Sequence, residues 1–205
     1  MVGVSGSRVT ESGYGVSGTD LVLDELLVPA PNVGPAFLAD LALATVLARS
    51  AGAVDEAISE VIRTFAPGLH RRTFVAERNG VRYINDSKAT NPHAAVASAS
   101  SYPSVVLIAG GRNKGLDLAP LAAVPGIQHV IGLGEAADEL AEVVTGGRFH
   151  QARDMQDAVA AAAALAQPGD VVLLAPGCAS YDMFASYAER GDAFTAAVRN
   201  LEGAR

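Results

Sequence analysis

Cysteine is nearly absent from this chain, because Cys178 is the single one among 205 residues. One cysteine excludes an internal disulfide, and no Cys/His cluster has the spacing of a zinc site. No stretch approaches the roughly 18 to 20 uninterrupted apolar residues of a membrane-spanning helix, since Asp, Arg, Gly or Pro interrupts each candidate. We therefore predict a protein of a reducing compartment, with no membrane segment and no structural metal.

Positive charge is also scarce, with 15 Lys and Arg against 22 Asp and Glu and a formal net charge of −7. A nucleic-acid-binding surface needs an excess of positive charge on at least one face. Met1–Gly18 lacks the basic cluster and apolar core of a secretory signal. We expect a cytoplasmic protein with no nucleic-acid partner, whose partners are small molecules held by a few local cations.

Two motifs of common catalytic sites are missing. No segment supplies the Gly-Lys-Ser/Thr ending of a Walker A phosphate loop. The Gly-x-Ser-x-Gly nucleophile elbow is absent as well, so we predict that Ser180 donates hydrogen bonds and is not a nucleophile. Cys178 lies among small apolar residues, which favours a packed thiol over a reactive one.

The first third of the chain predicts a helical hairpin after an irregular opening. Residues 1–20 are rich in Gly and Ser without a clear period, which indicates loop or weak strand. Ala36–Ala48 is rich in Ala and Leu, and the apolar residues of Val54–Phe65 recur at helical spacing. A turn at Gly52 joins these two predicted helices. Pro67-Gly68 ends the pattern, and we place a domain boundary near residue 70.

The rest of the chain alternates strands and helices. Asn79-Gly80 is a strong hairpin-turn signal between two strands. Asn91-Pro92 and Asp154 each have the form of a helix start. Continuous apolar strands between helices indicate a mostly parallel sheet covered on both faces, which is the α/β class with a Rossmann-like, three-layer domain. The predicted strands are 73–77, 81–84, 105–109, 129–133 and 171–175.

Three polar clusters follow predicted strands, where parallel α/β folds bind their ligands. They are residues 85–91 with Lys88, residues 110–115 with Arg112 and Lys114, and residues 175–182. A cation beside a helix start makes a compact anion site, and glycines let the backbone approach a ligand closely. Each cluster taken alone is explained equally well as a solvated polar turn.

Four motifs in order and spacing together resemble the C-terminal domain of the Mur ligases over roughly residues 20–205. They are the pair His70-Arg71, NDSKATN at 85–91, GGRNKG at 110–115 and APGCASYDMFASYAERG at 175–191. The resemblance is to the family members that add D-glutamate. It implies a remnant of the central ATP-binding domain at residues 1–70 and an amino-acid-binding, Rossmann-like C-terminal domain at residues 71–205.

The resemblance also implies an activity. Mur ligases use ATP and Mg²⁺ to convert a substrate carboxylate to an acyl phosphate, which the incoming amine attacks through a tetrahedral intermediate. Here the substrates would be D-glutamate and UDP-N-acetylmuramoyl-L-alanine, a peptidoglycan precursor. Phosphorylation supplies a good leaving group, and cations stabilise the oxyanions that form.

The roles of individual residues follow from the same resemblance. D-glutamate carries two carboxylates, so two lysines on separate loops would fix both of its ends and aim its amine. The implied catalytic residue is Lys88, and the implied D-glutamate contacts are Thr90, Lys114, Ser180, Tyr181 and Tyr187. The implied nucleotide contacts are His70, Arg71, Asp86 and Asp40, and no metal ligand is implied in this chain.

The sequence departs from the family at two points. Where an asparagine usually meets the adenine, this chain has Asp40. The uridine-nucleotide domain, the phosphate loop and the magnesium ligands of the central domain have no counterpart in it. We therefore expect a fragment or truncated product that does not turn over alone.

Two alternatives stay open. One is a non-catalytic module that binds an amino acid or a nucleotide. The DNA upstream of Met1 distinguishes it from a truncated ligase, because only the truncated ligase predicts an in-frame phosphate loop there. An NAD-dependent oxidoreductase is the other, because Gly132-x-Gly134-x-x-Ala137 has the form of a dinucleotide fingerprint. That motif lies in the middle of the predicted sheet, and Asp154 is its only candidate for the acidic residue expected ~20 positions on.

Overall fold

A computed structural model describes residues 13–17, 20–29 and 35–201. The chain divides into two compact units, one ending at Pro67 and one beginning at Gly68. Among the described residues, no helix is long and apolar enough to cross a membrane. The assignment of these units to two ligase domains stays a prediction.

The first unit contains a small antiparallel sheet and two helices. Short strands therefore occupy part of the opening that was predicted as loop or weak strand, and residues 1–12 and 18–19 of that prediction lie outside the described residues. The two predicted helices are confirmed, and Gly52 in the turn between them has a φ of 90°. The elements are β1 (Tyr14–Ser17), β2 (Asp20–Leu23), β3 (Leu26–Pro29), α1 (Pro35–Ser50) and α2 (Asp55–Thr64).

Arg49, near the end of α1, connects the elements of the first unit. Its guanidinium donates to both carboxylate oxygens of Asp55 at 2.8 Å and to the Leu23 carbonyl at 2.9 Å. The start of α2 and the end of β2 are thus both fastened to α1. The apolar core beneath consists of Leu21, Leu23, Val28, Leu38, Leu41, Ala42, Ile58 and Ile62.

The second unit is a six-stranded sheet with helices on both faces. Its strands are β4 (Thr73–Arg78), β5 (Val81–Asn85), β6 (Val105–Gly110), β7 (Ile127–Leu133), β8 (Phe149–Gln151) and β9 (Val171–Gly177). Its helices are α3 (Pro92–Ala99), α4 (Ala119–Ala122), α5 (Ala137–Val143), α6 (Met155–Leu165) and α7 (Tyr187–Asn200). The strand order is β4-β5-β9-β6-β7-β8, so the last strand along the chain lies in the interior of the sheet.

The predicted α/β class with a mostly parallel sheet is confirmed. In this sheet only the β4–β5 pair is antiparallel, whereas β5, β9, β6, β7 and β8 run parallel to one another. The β4–β5 turn is at Asn79-Gly80, whose φ values of 52° and 76° are both positive, as a type I′ turn requires.

The strand β6 illustrates why the buried strands are apolar throughout. All six of its residues are buried. Val105 and Leu107 face the cluster formed with α3, α4 and α5, whereas Val106 and Ile108 face the cluster formed with α6 and α7. Alternate side chains point to opposite faces of a strand, so a strand covered on both faces has no position for a polar residue.

The two predicted helix starts are also confirmed. The Asn91 side chain accepts a hydrogen bond from the Ala94 amide at 2.9 Å, and the Asp154 side chain accepts one from the Asp157 amide at 2.8 Å. Each bond satisfies an amide that the first helical turn leaves without a backbone partner. The cap at Asn91 fixes where the polar segment after β5 ends.

Candidate functional site

Three polar loops meet at the carboxyl edge of the sheet. We name them the Lys88 loop (residues 86–91, after β5), the Ser180 loop (residues 178–186, after β9) and the Lys114 loop (residues 111–118, after β6). Because β9 lies between β5 and β6, the Ser180 loop follows the strand between the two lysine loops. The sheet order therefore brings all three predicted clusters to one edge.

Backbone hydrogen bonds join these loops directly. Arg112 and Ala179 exchange two of them, with N–H to carbonyl distances of 2.9 Å and 3.1 Å, which link the Lys114 loop to the Ser180 loop. The Gly177 amide, at the end of β9, donates to the Ala89 carbonyl of the Lys88 loop at 2.9 Å. Main-chain hydrogen bonds thus contribute to the relative positions of the loops.

Gly110 at the end of β6 and Gly111 at the start of the Lys114 loop are required by close approaches of the backbone. Gly110 and Gly111 both have a φ of 118°, a region that is strained for residues with a side chain. A Cβ atom at Gly111 would collide with the Ala179 carbonyl oxygen, and one at Gly110 would collide with that of Leu133. These glycines were predicted to let the backbone approach a ligand, but the atoms closest to them belong to a neighbouring strand and a neighbouring loop.

Lys114 and Arg112 differ in their surroundings, although the sequence analysis treated both as cations available to an anion. Arg112 donates two hydrogen bonds to the Glu135 carboxylate, at 3.1 Å and 2.9 Å, so that expectation is corrected for Arg112. Lys114 is exposed and forms no ion pair within the part of the chain that the structure describes. Its ammonium is thus the available cation of this loop.

Lys88 lies against an aromatic ring. Its Nζ atom is 3.7 Å from the centroid of the Tyr187 ring, a cation–π distance. The hydrogen bond and charge of Lys88 lower the pKa of the Tyr187 phenol. The ring of His70 meets that of Tyr187 edge-on, with centroids 6.3 Å apart. Three of the predicted site residues therefore form one continuous group.

His70 is held in place by the residue before the Lys88 loop. The Asn85 side-chain nitrogen lies 3.1 Å from His70 Nδ1 and donates to the Gly191 carbonyl at 2.8 Å. An amide nitrogen can only donate, so this contact is a hydrogen bond in the tautomer whose Nδ1 carries no proton. A Cβ atom at Gly191 would collide with the His70 ring, which explains glycine at this position of α7.

Asp86 has internal partners. It is 7% exposed, its Oδ1 accepts from the Arg72 amide at 3.3 Å, and its Oδ2 lies 3.8 Å from Arg72 Nε. Burial raises the pKa of Asp86. Arg71, which the resemblance assigns to phosphate, is exposed. The nucleotide roles of Asp86 and Arg71 stay predictions.

The remaining predicted residues differ in exposure. Ser180 is 3% exposed, and among the described residues its hydroxyl forms no hydrogen bond. Tyr181 beside it is 66% exposed, and Thr90 is half-buried. Asp40 belongs to the first unit, where it lies on the exposed face of α1.

Arg190 is the residue that the sequence analysis missed. It is 2% exposed, and its guanidinium donates to Ser87 and to the Cys178 carbonyl. A signal was present in the sequence, because Arg190 shares the helical spacing of residues on the buried face of α7, such as Phe194 and Ala197. A charged residue on an apolar face indicates a buried polar contact.

The glycines of the dinucleotide-like motif serve internal packing. A Cβ atom at Gly132 would press on the Phe149 ring, and one at Gly134 would collide with the Asp182 carboxylate. That carboxylate also accepts from the Glu135 amide at 3.0 Å, at the turn where a dinucleotide-binding fold receives a phosphate. The packing of this motif therefore accounts for its glycines without a cofactor.

Cys178 is packed, as predicted, and we expect it to be alkylated slowly in the folded protein. It is 2% exposed, and burial raises the pKa of its thiol from 9.0 to about 11, which lowers the thiolate fraction about 100-fold at neutral pH. The pKa of this thiol is higher in the folded than in the unfolded protein. The contribution of the buried thiol to folding stability is therefore complete below the unfolded pKa and is lost as pH rises through about 11. Iodoacetamide labelling with and without urea measures the effect, and equal rates would contradict it.

Fold and site together define a class, namely a mostly parallel α/β domain whose strand-end loops bring cations and hydroxyls to one edge of the sheet. Residues 70–178 match the family described as "Mur ligase, glutamate ligase domain". The chain belongs to this family.

Curated relatives include two UDP-N-acetylmuramoylalanine--D-glutamate ligases. The one from Frankia casuarinae is 48% identical over 175 residues, covering 82% of this chain and 37% of the relative. The one from Thermobifida fusca is 43% identical over 210 residues, covering 90% and 45%. The chain thus spans less than half the length of these relatives.

Solved structures with the same fold include two enzymes of low sequence identity. The D-alanyl-D-alanyl ligase of Acinetobacter baumannii, which acts on UDP-N-acetylmuramoylalanyl-D-glutamyl-2,6-diaminopimelate, has a TM-score of 0.64 at 17% identity, covering 88% of this chain and 41% of that one. The bifunctional folylpolyglutamate synthase/dihydrofolate synthase of Yersinia pestis has a TM-score of 0.61 at 23% identity, covering 93% and 46%. These likenesses concern the fold alone.

Proposed function

We propose that this chain is the D-glutamate-binding part of an ATP-dependent ligase that joins D-glutamate to UDP-N-acetylmuramoyl-L-alanine in peptidoglycan precursor synthesis. One observation carries the proposal. Lys88 and Lys114 are the two lysines of the chain, and their loops flank the loop that carries the Ser180 hydroxyl at one edge of the sheet.

The proposed ligand explains why two cations are needed. D-glutamate has a carboxylate at each end, and charge-assisted hydrogen bonds from lysine are among the stronger contacts to such groups. With Lys88 and Lys114 on separate loops, the two ends of the ligand are bound from different directions and its amine has one orientation. Thr90, Ser180 and Tyr181 supply further donors, and the Tyr187 ring lies beside Lys88.

Lys88 has a second role in the proposal, as the catalytic residue. When the amine attacks the activated carboxylate, negative charge develops on oxygen, and an ammonium already in position stabilises it. The Tyr187 ring keeps the Lys88 side chain at the carboxyl edge of the sheet. ATP supplies the activation of the carboxylate in this reaction.

The nucleotide part of the proposal assigns phosphate to Arg71 and a nucleotide contact to His70. The exposed guanidinium of Arg71 suits a phosphate. Arg71 directly follows His70, whose ring contacts Tyr187 beside Lys88. Asp86 is the third proposed nucleotide contact of the second unit, and the nucleotide role of Asp40 stays a prediction from the resemblance. Among the described residues, no group of three His, Cys, Asp or Glu is placed to hold a metal, so we assign no Mg²⁺ ligand to them.

ATP and a nucleotide-linked substrate are cytoplasmic metabolites, and the proposal places the protein in the cytoplasm.

The two lysines allow a direct test. Reductive methylation with isotope-labelled formaldehyde keeps the positive charge and adds an NMR-visible dimethylamine to each lysine and to the N-terminal amine. Lys88→Arg and Lys114→Arg assign the two lysine signals. We expect D-glutamate to shift both signals in one saturable process, with weaker effects from L-glutamate and from D-glutamine, which lacks the second carboxylate. Shifts of only one lysine, or equal effects of all three amino acids, would contradict the proposal.

A further inference from the structure

The guanidinium of Arg190 joins two of the three loops. Its Nε donates to Ser87 Oγ at 3.0 Å, and its Nη2 donates to the Ser87 carbonyl at 2.9 Å. Its Nη1 donates to the Cys178 carbonyl at 3.1 Å. Ser87 belongs to the Lys88 loop and Cys178 to the Ser180 loop, so one side chain holds both loops from beneath.

Stability alone does not account for an arginine here. Burying a charge is unfavourable unless strong contacts compensate for it. Arg190 forms no ion pair within the described residues, and burial lowers its pKa to about 10. An apolar side chain on this buried face of α7 would fill the space without that penalty. The residue type is explained by its directed bonds, since a planar guanidinium presents several donors in fixed directions.

We infer that Arg190 is a positioning residue that fixes Lys88 and Ser180 relative to each other, an inference that rests on the proposed D-glutamate site. Ser87 directly precedes Lys88, and its hydroxyl donates to the Tyr187 carbonyl at 2.7 Å. The Arg190–Ser87 bonds therefore hold the Lys88 loop at the start of α7, where the Lys88 ammonium meets the Tyr187 ring. The bond to Cys178 anchors the start of the loop that carries Ser180.

The first test needs no D-glutamate. An amine above an aromatic ring has an upfield NMR shift, so the methylated Lys88 signal reports its place on Tyr187. In Arg190→Ala we expect this upfield shift to be lost while the Lys114 signal stays unchanged. Ethylguanidinium, which matches the deleted part of the side chain, should restore the shift at concentrations far below those that denature proteins. Ethylurea has a similar shape without the charge and should not.

A matched control comes from the same helix. Arg199→Ala removes an exposed arginine from the last turn of α7, and we expect both lysine signals to stay as in the parent protein. A folded Arg190→Ala protein with an unchanged Lys88 signal would overturn the inference. Equal rescue by ethylurea and ethylguanidinium would overturn it too.

A milder variant keeps the inference testable if Arg190→Ala does not fold. Ser87→Ala retains the guanidinium but removes its hydroxyl acceptor and the bond to Tyr187. We expect a partial loss of the Lys88 upfield shift that ethylguanidinium does not restore. A Lys88 signal identical to that of the parent protein would overturn the inference.

The second readout is D-glutamate binding. We expect Arg190→Ala to raise the dissociation constant about tenfold or more, as misplacement of binding groups does, and ethylguanidinium to reverse the rise. If the parent protein binds no D-glutamate, the proposed function fails. The Lys88 signal then still decides whether Arg190 positions the Lys88 loop. If the parent binds D-glutamate and Arg190→Ala binds it equally well, the positioning inference alone fails.

Discussion

Replacement of Lys114 by alanine is expected to weaken D-glutamate binding about 10- to 100-fold. Lys114 is exposed and forms no ion pair among the described residues, so its ammonium is available to one carboxylate of the ligand. A hydrogen bond to a charged group contributes ~1.5–3 kcal/mol, which corresponds to that range of dissociation constants. Titration of the methylated Lys88 signal measures the change, because this signal remains in the variant.

Arg112→Ala is the matched control for Lys114. It removes the same charge from the same loop, but its guanidinium is already bound to Glu135 by two hydrogen bonds. We expect the dissociation constant for D-glutamate to change by less than about threefold, because a guanidinium that already binds a neighbouring carboxylate is not available to the ligand. Loss of the exposed Arg112–Glu135 pair itself changes the folding stability by only ~0–1 kcal/mol. Similar losses in both variants would show that net charge alone attracts the ligand, and the assigned contact of Lys114 would be wrong.

Replacement of Gly111 by alanine is expected to destabilise the protein by about 2–4 kcal/mol. The φ of 118° strains any residue with a side chain, and the new Cβ would collide with the Ala179 carbonyl oxygen. Relief of the collision requires the paired hydrogen bonds between Arg112 and Ala179 to lengthen. Thermal unfolding measures the change, with each kcal/mol lowering Tm by about 2–4 °C in a chain of this size.

Gly115→Ala separates the collision from the backbone strain. Gly115 lies in the same loop with a φ of 73°, and a Cβ atom there would have no neighbour within 4 Å. We expect a loss of about 1–2 kcal/mol, the ordinary cost of a left-handed conformation. If both alanine variants unfold at the same temperature, the contact between the Lys114 and Ser180 loops does not contribute to stability.

Secondary structure was predictable wherever a local pattern determined it. The apolar run at 105–109 became β6, and Asn79-Gly80 and Asn91 formed the expected turn and cap. The opening was predicted only as loop or weak strand, and the strands β3 and β8 were not predicted. These strands have three or four residues, too few for a clear period-2 pattern.

The candidate site was predictable as a set of residues, but not as a set of contacts. Polar residues after apolar strands identified the loops that carry Lys88, Lys114 and Ser180. The same reasoning treated Arg112 as equivalent to Lys114, because its partner Glu135 lies on the turn after β7 and no sequence spacing relates the two. It also passed over Arg190, whose acceptors lie on two other loops.

By itself, the amino-acid sequence determined the α/β class, the apolar strands and the loops that carry both lysines, because periodicity, caps and turns act between residues a few positions apart. Only the tertiary structure decided that β9 inserts between β5 and β6, that Arg112 is paired while Lys114 is available, and that Arg190 is buried beneath two loops. These outcomes depend on strand pairing and side-chain contacts between residues far apart in the chain, where the free energy of the whole packed sheet selects the arrangement.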